Sequence, residues 1–241
     1  MSRNLTRREF LFGWFPFFWR KRPFVTLDEI RFQVIRNGDS PHRYLLIHGN
    51  EETARGVLTM HMRQAKGIAH LVTGHDRYVP IDSGKLDPNR MFSHEGAEKN
   101  LRSLNPDWSD ERLRKALHKL DRGREKLVSR LFPPPDGRLV ALHNNSQGYS
   151  VKDEVAASDA VSLKEADNPH EFFLATDAVD YGILATSPYN VVLQRSLPKE
   201  DDGSLSRLAA KRGVRYINLE VALGKREKQE EMLAWLESHL R

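Results

Sequence analysis

From Phe24 onward, short apolar runs alternate with stretches of helical period. Tyr44-Leu45-Leu46-Ile47 is rich in the residue types that fill a buried strand. It stops at His48-Gly49-Asn50-Glu51, and a helix over 52–66, capped by Gly67, follows at once. Upstream, 30–35 alternates weakly and predicts a strand, ended by a turn over 37–41. Downstream, 68–72 predicts the next strand, and 77–81 an extended piece entering a loop over 82–89. The pattern over 96–130 is helical, broken at Asn105-Pro106 and restarted by the cap and acidic first turn Ser109-Asp110-Glu111. Its stripe from Leu113 to Leu131 is a core face. Pro133-Pro134-Pro135-Asp136-Gly137 stops the helix, and 138–142 predicts a strand ending at His143-Asn144-Asn145.

The polar stretch 152–170 predicts a long surface loop. Strands are predicted over 171–175, 181–185 and 189–193, and a short helix over 204–212. A late strand over 214–219 ends at Glu220, and 225–240 closes the chain as an amphipathic helix. This order predicts a single α/β domain over 24–241, with a mixed twisted sheet flanked by helices on both faces. The 241 residues suffice for one such domain with a proper core.

Charge changes the picture in one place. The net charge of +5 comes from residues 1–22, where six basic side chains face Glu9 alone. The rest of the chain carries as many acidic as basic groups, which excludes a nucleic-acid binder with basic surface spread over its body. Segment 1–23 is therefore set apart. Thr6-Arg7-Arg8-Glu9-Phe10-Leu11 resembles the twin-arginine export motif, and an aromatic run from Phe10 to Trp19 follows. That run is too short to span a bilayer, for which about 20 residues are needed. Its flanking cations suit an export signal or a membrane-surface anchor; packing on the domain is the other reading. Cytoplasmic and exported locations both stay open. Without cysteine there is no thiolate ligand, no disulfide and no Cys nucleophile.

Three predicted strands end in chemistry-bearing residues: His48 with Glu51, His143, and Glu220. His48 and Glu51 stand i, i+3, a spacing that can aim both at one point. Two imidazoles and a carboxylate form a zinc-hydrolase ligand set, and a further carboxylate, Glu220, is the candidate acid/base. A structural ion pair of Glu220 with Arg77 or Arg215 is the competing account.

His48-Gly49-Asn50-Glu51, the run Leu86 to Phe92 with Asp87-Pro88-Asn89-Arg90, Leu142 to Asn145, and Asn218-Leu219-Glu220 occur in the order of zinc-carboxypeptidase motifs. The sequence resembles that superfamily, nearest its aspartoacylase and succinylglutamate desuccinylase branch, over residues 43–222. The resemblance implies a zinc-carboxypeptidase-like fold, with zinc bound by His48, Glu51 and His143. It implies that Asn89 and Arg90 grip a free carboxylate on the substrate, a bidentate task suited to arginine. Glu220 would be the general base and then acid, and Arg77 would stabilise a developing oxyanion. The tyrosine that closes on substrate in the family has two candidates, Tyr149 and Tyr189, and Tyr189 is placed with the substrate-binding set.

The implied activity is hydrolysis of an amide bond beside a free carboxylate, in a small molecule or short peptide. Cell-wall or small peptides are expected if the N-terminus directs export, and N-acyl amino acids if it does not. A catalytically inactive carboxylate-binding module on the same fold, tethered at a membrane, is the alternative. The chain runs only about 20 residues beyond Glu220, short of the family's extra C-terminal domain, so an open site is expected.

Overall fold

The structure is a computed structural model that describes residues 23–146, 148–164 and 167–240. Segment 1–22, which carries the export or anchor reading, lies outside them.

The described chain opens with an antiparallel pair, β1 (Phe24–Leu27) and β2 (Ile30–Asn37). Next come β3 (Arg43–Leu46), α1 (Glu52–His61) and β4 (Gly67–Val72). A small hairpin of β5 (Val79–Ile81) and β6 (Gly84–Leu86) precedes a 3-10 turn over Pro88–Arg90. The helices α2 (His94–Leu104) and α3 (Asp110–Leu131) lead to β7 (Leu139–Asn145). As the sequence predicts, Ser109 caps α3, its hydroxyl accepting from the Arg112 N–H. Then come α4 (Val151–Val155), β8 (Ala160–Ser162), β9 (Phe172–Ala175) and α5 (Ala178–Leu184). The chain finishes with β10 (Asn190–Leu193), α6 (Leu205–Arg212), β11 (Tyr216–Ala222) and α7 (Arg226–His239).

Nine strands form one sheet in the order β1-β2-β4-β3-β7-β11-β9-β10-β8. The centre, β4-β3-β7-β11, is parallel, and β2 and β9 join it antiparallel on either side. This is a single α/β domain built on a large mixed sheet. Alternation along each strand divides two cores. Leu139 and Ala141 face a core with α2, α3 and α6, while Val140 and Leu142 face one with α1, α5 and α7. A sheet covered on both sides needs apolar residues at successive positions, and the central strands supply them.

Four sequence expectations are corrected. The 181–185 stretch belongs to helix α5: Asp177 caps it by accepting from the Val179 and Asp180 N–H groups. The 152–170 stretch is not one long loop. A capping box of Ser150 and Asp153 starts α4, and β8 pairs antiparallel with β10 at the sheet edge. Helix α1 stops at His61 because the chain tightens there, the Arg63 N–H bonding the Met60 carbonyl. Gly67, at φ +146°, opens β4 instead of capping α1. The 82–89 loop contains β6. Among the described residues no helix is long and apolar enough to cross a membrane.

Candidate metal centre and active site

The parallel strands end on one side of the sheet, which is where an open α/β sheet presents side chains to a crevice. His48 stands two positions past β3, and Glu51 is the N-cap residue of α1. The Glu51 side chain makes no capping hydrogen bond, so its carboxylate does not serve the helix end. It turns to the imidazoles instead. His48 Nδ1 lies 2.9 Å and His143 Nδ1 3.3 Å from it. One ligand atom from each of the three residues lies within 4.8 Å of the other two. All three side chains are buried.

Gly49 makes this turn feasible. A Cβ there would stand 2.5 Å from the Asp76 carbonyl, and the Gly49 N–H donates to that same oxygen at 3.0 Å. The close backbone approach carries the segment bearing Arg77 over the cluster. Asn144 points to the opposite face of β7, where its Oδ1 accepts from the Ala54 N–H and its amide donates to Gln229. It thereby pins the start of α1, and with it Glu51, to the sheet.

Asp87 completes the surroundings of His48 and was given no role by the sequence. Its Oδ1 lies 2.9 Å from His48 Nε2 and also accepts from the Asn89 N–H, while its Oδ2 accepts from Arg77 at 3.2 Å. A carboxylate on the far nitrogen of a ligating imidazole fixes the ring's tautomer and orientation. Its motif is visible in the sequence, but its contact with His48 spans 39 positions and depends on the fold.

Electrostatics follow from this packing. Burial alone would lower the His48 pKa, but its hydrogen bonds to the Asp87 and Glu51 carboxylates outweigh this and raise the group to about 9. Burial would raise Glu51, yet the two imidazoles bring it down to about 2. Glu51 Oε2 is buried 3.3 Å from His143 Nδ1 and makes no hydrogen bond. Two imidazole nitrogens and a carboxylate oxygen within 4.8 Å of one another form the donor set that a zinc ion takes. The residues fit the metal.

Glu220 lies inside β11, in direct register with His143 of β7. Alternation puts Tyr216, Asn218 and Glu220 on the same face as His143. Burial raises the Glu220 pKa, nearby Glu51 adds to this, and His143 and Asn218 oppose it. The competing ion pairs do not form. Arg215 binds Asp180 at 2.7 Å, and Arg77 lies 3.2 Å from Asp87 and 4.0 Å from Glu51.

The cluster and Glu220 line a cavity of about 370 Å³. Arg77, Asn89 and Arg90 line it too, joined by Arg207 of α6, which the sequence reading passed over. Arg90 is partly exposed and 3.5 Å from Asp202, while Asn89 Oδ1 accepts from the Leu205 N–H at the start of α6. Gly203 presses on Arg90: at φ +75°, a Cβ on it would lie 2.3 Å from the Arg90 carbonyl. The two tyrosines separate. Tyr149 lines the cavity and donates to Glu154 at 2.6 Å. Tyr189 is buried in the opposite core, donating to Glu231 at 2.7 Å, and the structure does not bring it to the cavity.

No family model matches the sequence, and no curated protein matches it either. Solved structures do. A succinylglutamate desuccinylase/aspartoacylase from Rhodobacter sphaeroides aligns with 88% of the chain at 15% identity and a TM-score of 0.46. The product-bound ectoine utilization protein EutE (DoeB) from Ruegeria pomeroyi aligns with 87% at 16% identity and a TM-score of 0.45. The chain spans 59% and 60% of those two structures' lengths.

Proposed function

We propose that this chain is a zinc-dependent hydrolase that cleaves an amide bond beside a free carboxylate. The observation that carries the reading is the convergence of His48, Glu51 and His143, with Glu220 in register beside His143. A zinc ion held by the three residues would lower the pKa of a water and polarise the amide carbonyl.

The chain's own groups supply the rest. Glu220, buried and with its pKa raised, is suited to take a proton from the attacking water and pass it to the leaving nitrogen. Asp87 holds the His48 ring. Arg77, partly exposed over the cluster, is positioned to meet negative charge developing on the carbonyl oxygen. Arg90 and Asn89 offer a cation and an amide to the substrate's carboxylate, and Arg207 adds a second guanidinium to the same cavity. Tyr149, already in the cavity wall, takes the place that the sequence reading gave to Tyr189.

Metal analysis of the purified full chain tests the reading, together with turnover of a panel of N-acetyl amino acids and short peptides. One zinc per chain is expected, lost in His48→Ala and His143→Ala together with turnover. Wild-type protein that holds no stoichiometric zinc after incubation with the metal ends the proposal.

A further inference from the structure

Beyond residue 22 the charges of the chain balance, but α3 distributes them unevenly. On its flanks, cations and carboxylates are paired. Arg112 and Lys115 lie 3.5 and 3.6 Å from Asp82, Lys119 lies 3.2 Å from Asp28, and Arg124 lies 2.6 Å from Asp121. Asp110 meets Arg102 of α2, and Glu125 meets Arg212 of α6. Five other positions, Arg114, His118, Arg122, Lys126 and Arg130, follow at every fourth residue, and all five are exposed. None of them has an ion pair among the described residues. The remaining carboxylate of the helix, Glu111, lies in its first turn. Each step of four residues rises about 6 Å and turns about 40° past a full circle, so the ridge runs about 24 Å along the helix. Like charges at this spacing repel and weaken the helix that carries them. A negatively charged partner laid along the ridge would turn that repulsion into attraction.

The chain outside the described residues joins the fold beside this ridge. Leu27 of β1 packs directly on Gly123, where a Cβ would strike its Cδ1, and Asp28 reaches Lys119. The strand thus runs back along the helix, and its beginning points toward the Lys126 and Arg130 end. Residues 1–22, which attach there, carry six basic side chains against Glu9 alone, with the aromatic run Phe10 to Trp19. We propose that the α3 ridge is a docking surface for an anionic lipid bilayer, which it binds together with residues 1–22. Each part supplies what the other lacks: aromatic rings suited to the headgroup region, and fixed cations that hold the folded domain to a negative surface. A nucleic acid fits less well. The ridge is a convex line of cations, and α3 carries no Phe, Tyr or Trp on which a base could stack. The proposal is independent of the metal and of the hydrolase reading.

The test is co-sedimentation of the full chain with vesicles of phosphatidylcholine alone and of phosphatidylcholine mixed with phosphatidylserine. Binding is expected to the mixed vesicles, and it should weaken steeply as salt is raised from about 0.1 M to about 1 M. The double variant Arg122→Gln, Lys126→Gln, with residues 1–22 intact, is expected to bind about 25-fold more weakly, about 5-fold for each charge removed. Removing the same charge from α7, on the other side of the sheet, with Lys225→Gln and Arg226→Gln should change binding by less than about 2-fold. All four side chains are exposed, so thermal unfolding should match wild type in both variants. Ridge variants that bind as wild type does overturn the proposal, because residues 1–22 would then act alone. Equal losses in the α3 and α7 variants overturn it too, since net charge and not the ridge would be read. So does wild type that binds neutral and anionic vesicles equally, or that binds duplex DNA and neither kind of vesicle.

Discussion

The central strands carry a buried charged cluster at each end, and the two are built differently. At the amino ends, Arg138, the residue before β7, is 1% exposed and reaches Glu237 of α7 at 2.7 Å and the Leu240 carbonyl at 2.9 Å. Tyr44 of β3 donates to the other Glu237 oxygen at 3.0 Å. There the cation meets an anion, while Arg138 Nε stays without a hydrogen-bond partner, and the pair straps the last helix to the sheet. At the carboxyl ends, Glu51, Asp87 and Glu220 gather around two imidazoles, with one partly exposed guanidinium, Arg77. Glu51 Oε2 there lies 3.3 Å from His143 Nδ1 but makes no hydrogen bond. The same strands thus place an arginine–glutamate pair at one end and, at the other, an excess of carboxylates around two imidazoles, a set suited to an added cation. Burial of charge is common to both, so burial alone does not mark a site; an excess of carboxylates over fixed cations does.

The largest effect separating the two ends is expected from Glu220→Gln. It removes the proposed proton carrier and keeps the shape, so kcat should fall about 10²- to 10⁴-fold while zinc remains bound. Turnover within a few fold of wild type would take Glu220 out of the chemistry. At the other end, Glu237→Leu should do the reverse. It leaves Arg138 buried without its anion, which costs about 3 kcal/mol, read as a lower denaturant midpoint at constant slope. Zinc stoichiometry should not change. A Glu237→Leu protein that loses metal would show that the two ends are coupled through the strands.

A third site lies between these extremes. His70 of β4 is 3% exposed, and its Nδ1 has no partner. Burial, with help from Arg43, lowers its pKa from 6.5 to about 4. The folded state therefore refuses a proton that the unfolded chain accepts as pH falls below 6.5. Stability should fall through the window from about 6.5 to about 4, by up to about 3 kcal/mol in all. His70→Leu should flatten that part of the pH–stability curve. Chemical denaturation at several pH values measures it, and an unaltered slope would assign the acid sensitivity to other groups.

The division between the ends was partly legible in the sequence. His48-Gly49-Asn50-Glu51 is a local motif whose strand, tight turn and helix follow one another directly, so both the fold there and the closeness of His48 to Glu51 could be read. His143 and Glu220 were legible as polar residues closing apolar runs. That they stand in register was not, because register is a property of β7 pairing with β11. The same reason hid the hydrogen bonds of Asn145 and Asn218 to Glu220, which depend on which face of which strand they share. Tyr189 misled because it precedes an apolar run, and that run carries it into the core under α7. Helix α5 was read as a strand because Tyr181 and Ile183 suit strands; its Asp177 cap and the Asp180–Arg215 pair outweigh that preference.

The smallest expected effect is the sharpest test of what an unmatched cluster needs. Asp87 touches no proposed substrate group; it acts on His48 through the ring, and on Arg77. Asp87→Asn keeps the volume and one accepting oxygen. It removes the charge and turns an N–H donor toward either Arg77 or the Asn89 N–H, both donors themselves. The imidazole loses part of its orientation and basicity, and zinc affinity should fall about 10- to 100-fold, measured by competition with a chelator. Because His48, Glu51 and His143 remain, saturating zinc should restore the occupied site. If Asp87→Asn binds zinc as tightly as wild type, the carboxylate behind His48 is a tether for Arg77 and Asn89 alone. The contrast between the two ends would then reduce to the three ligands and Glu220.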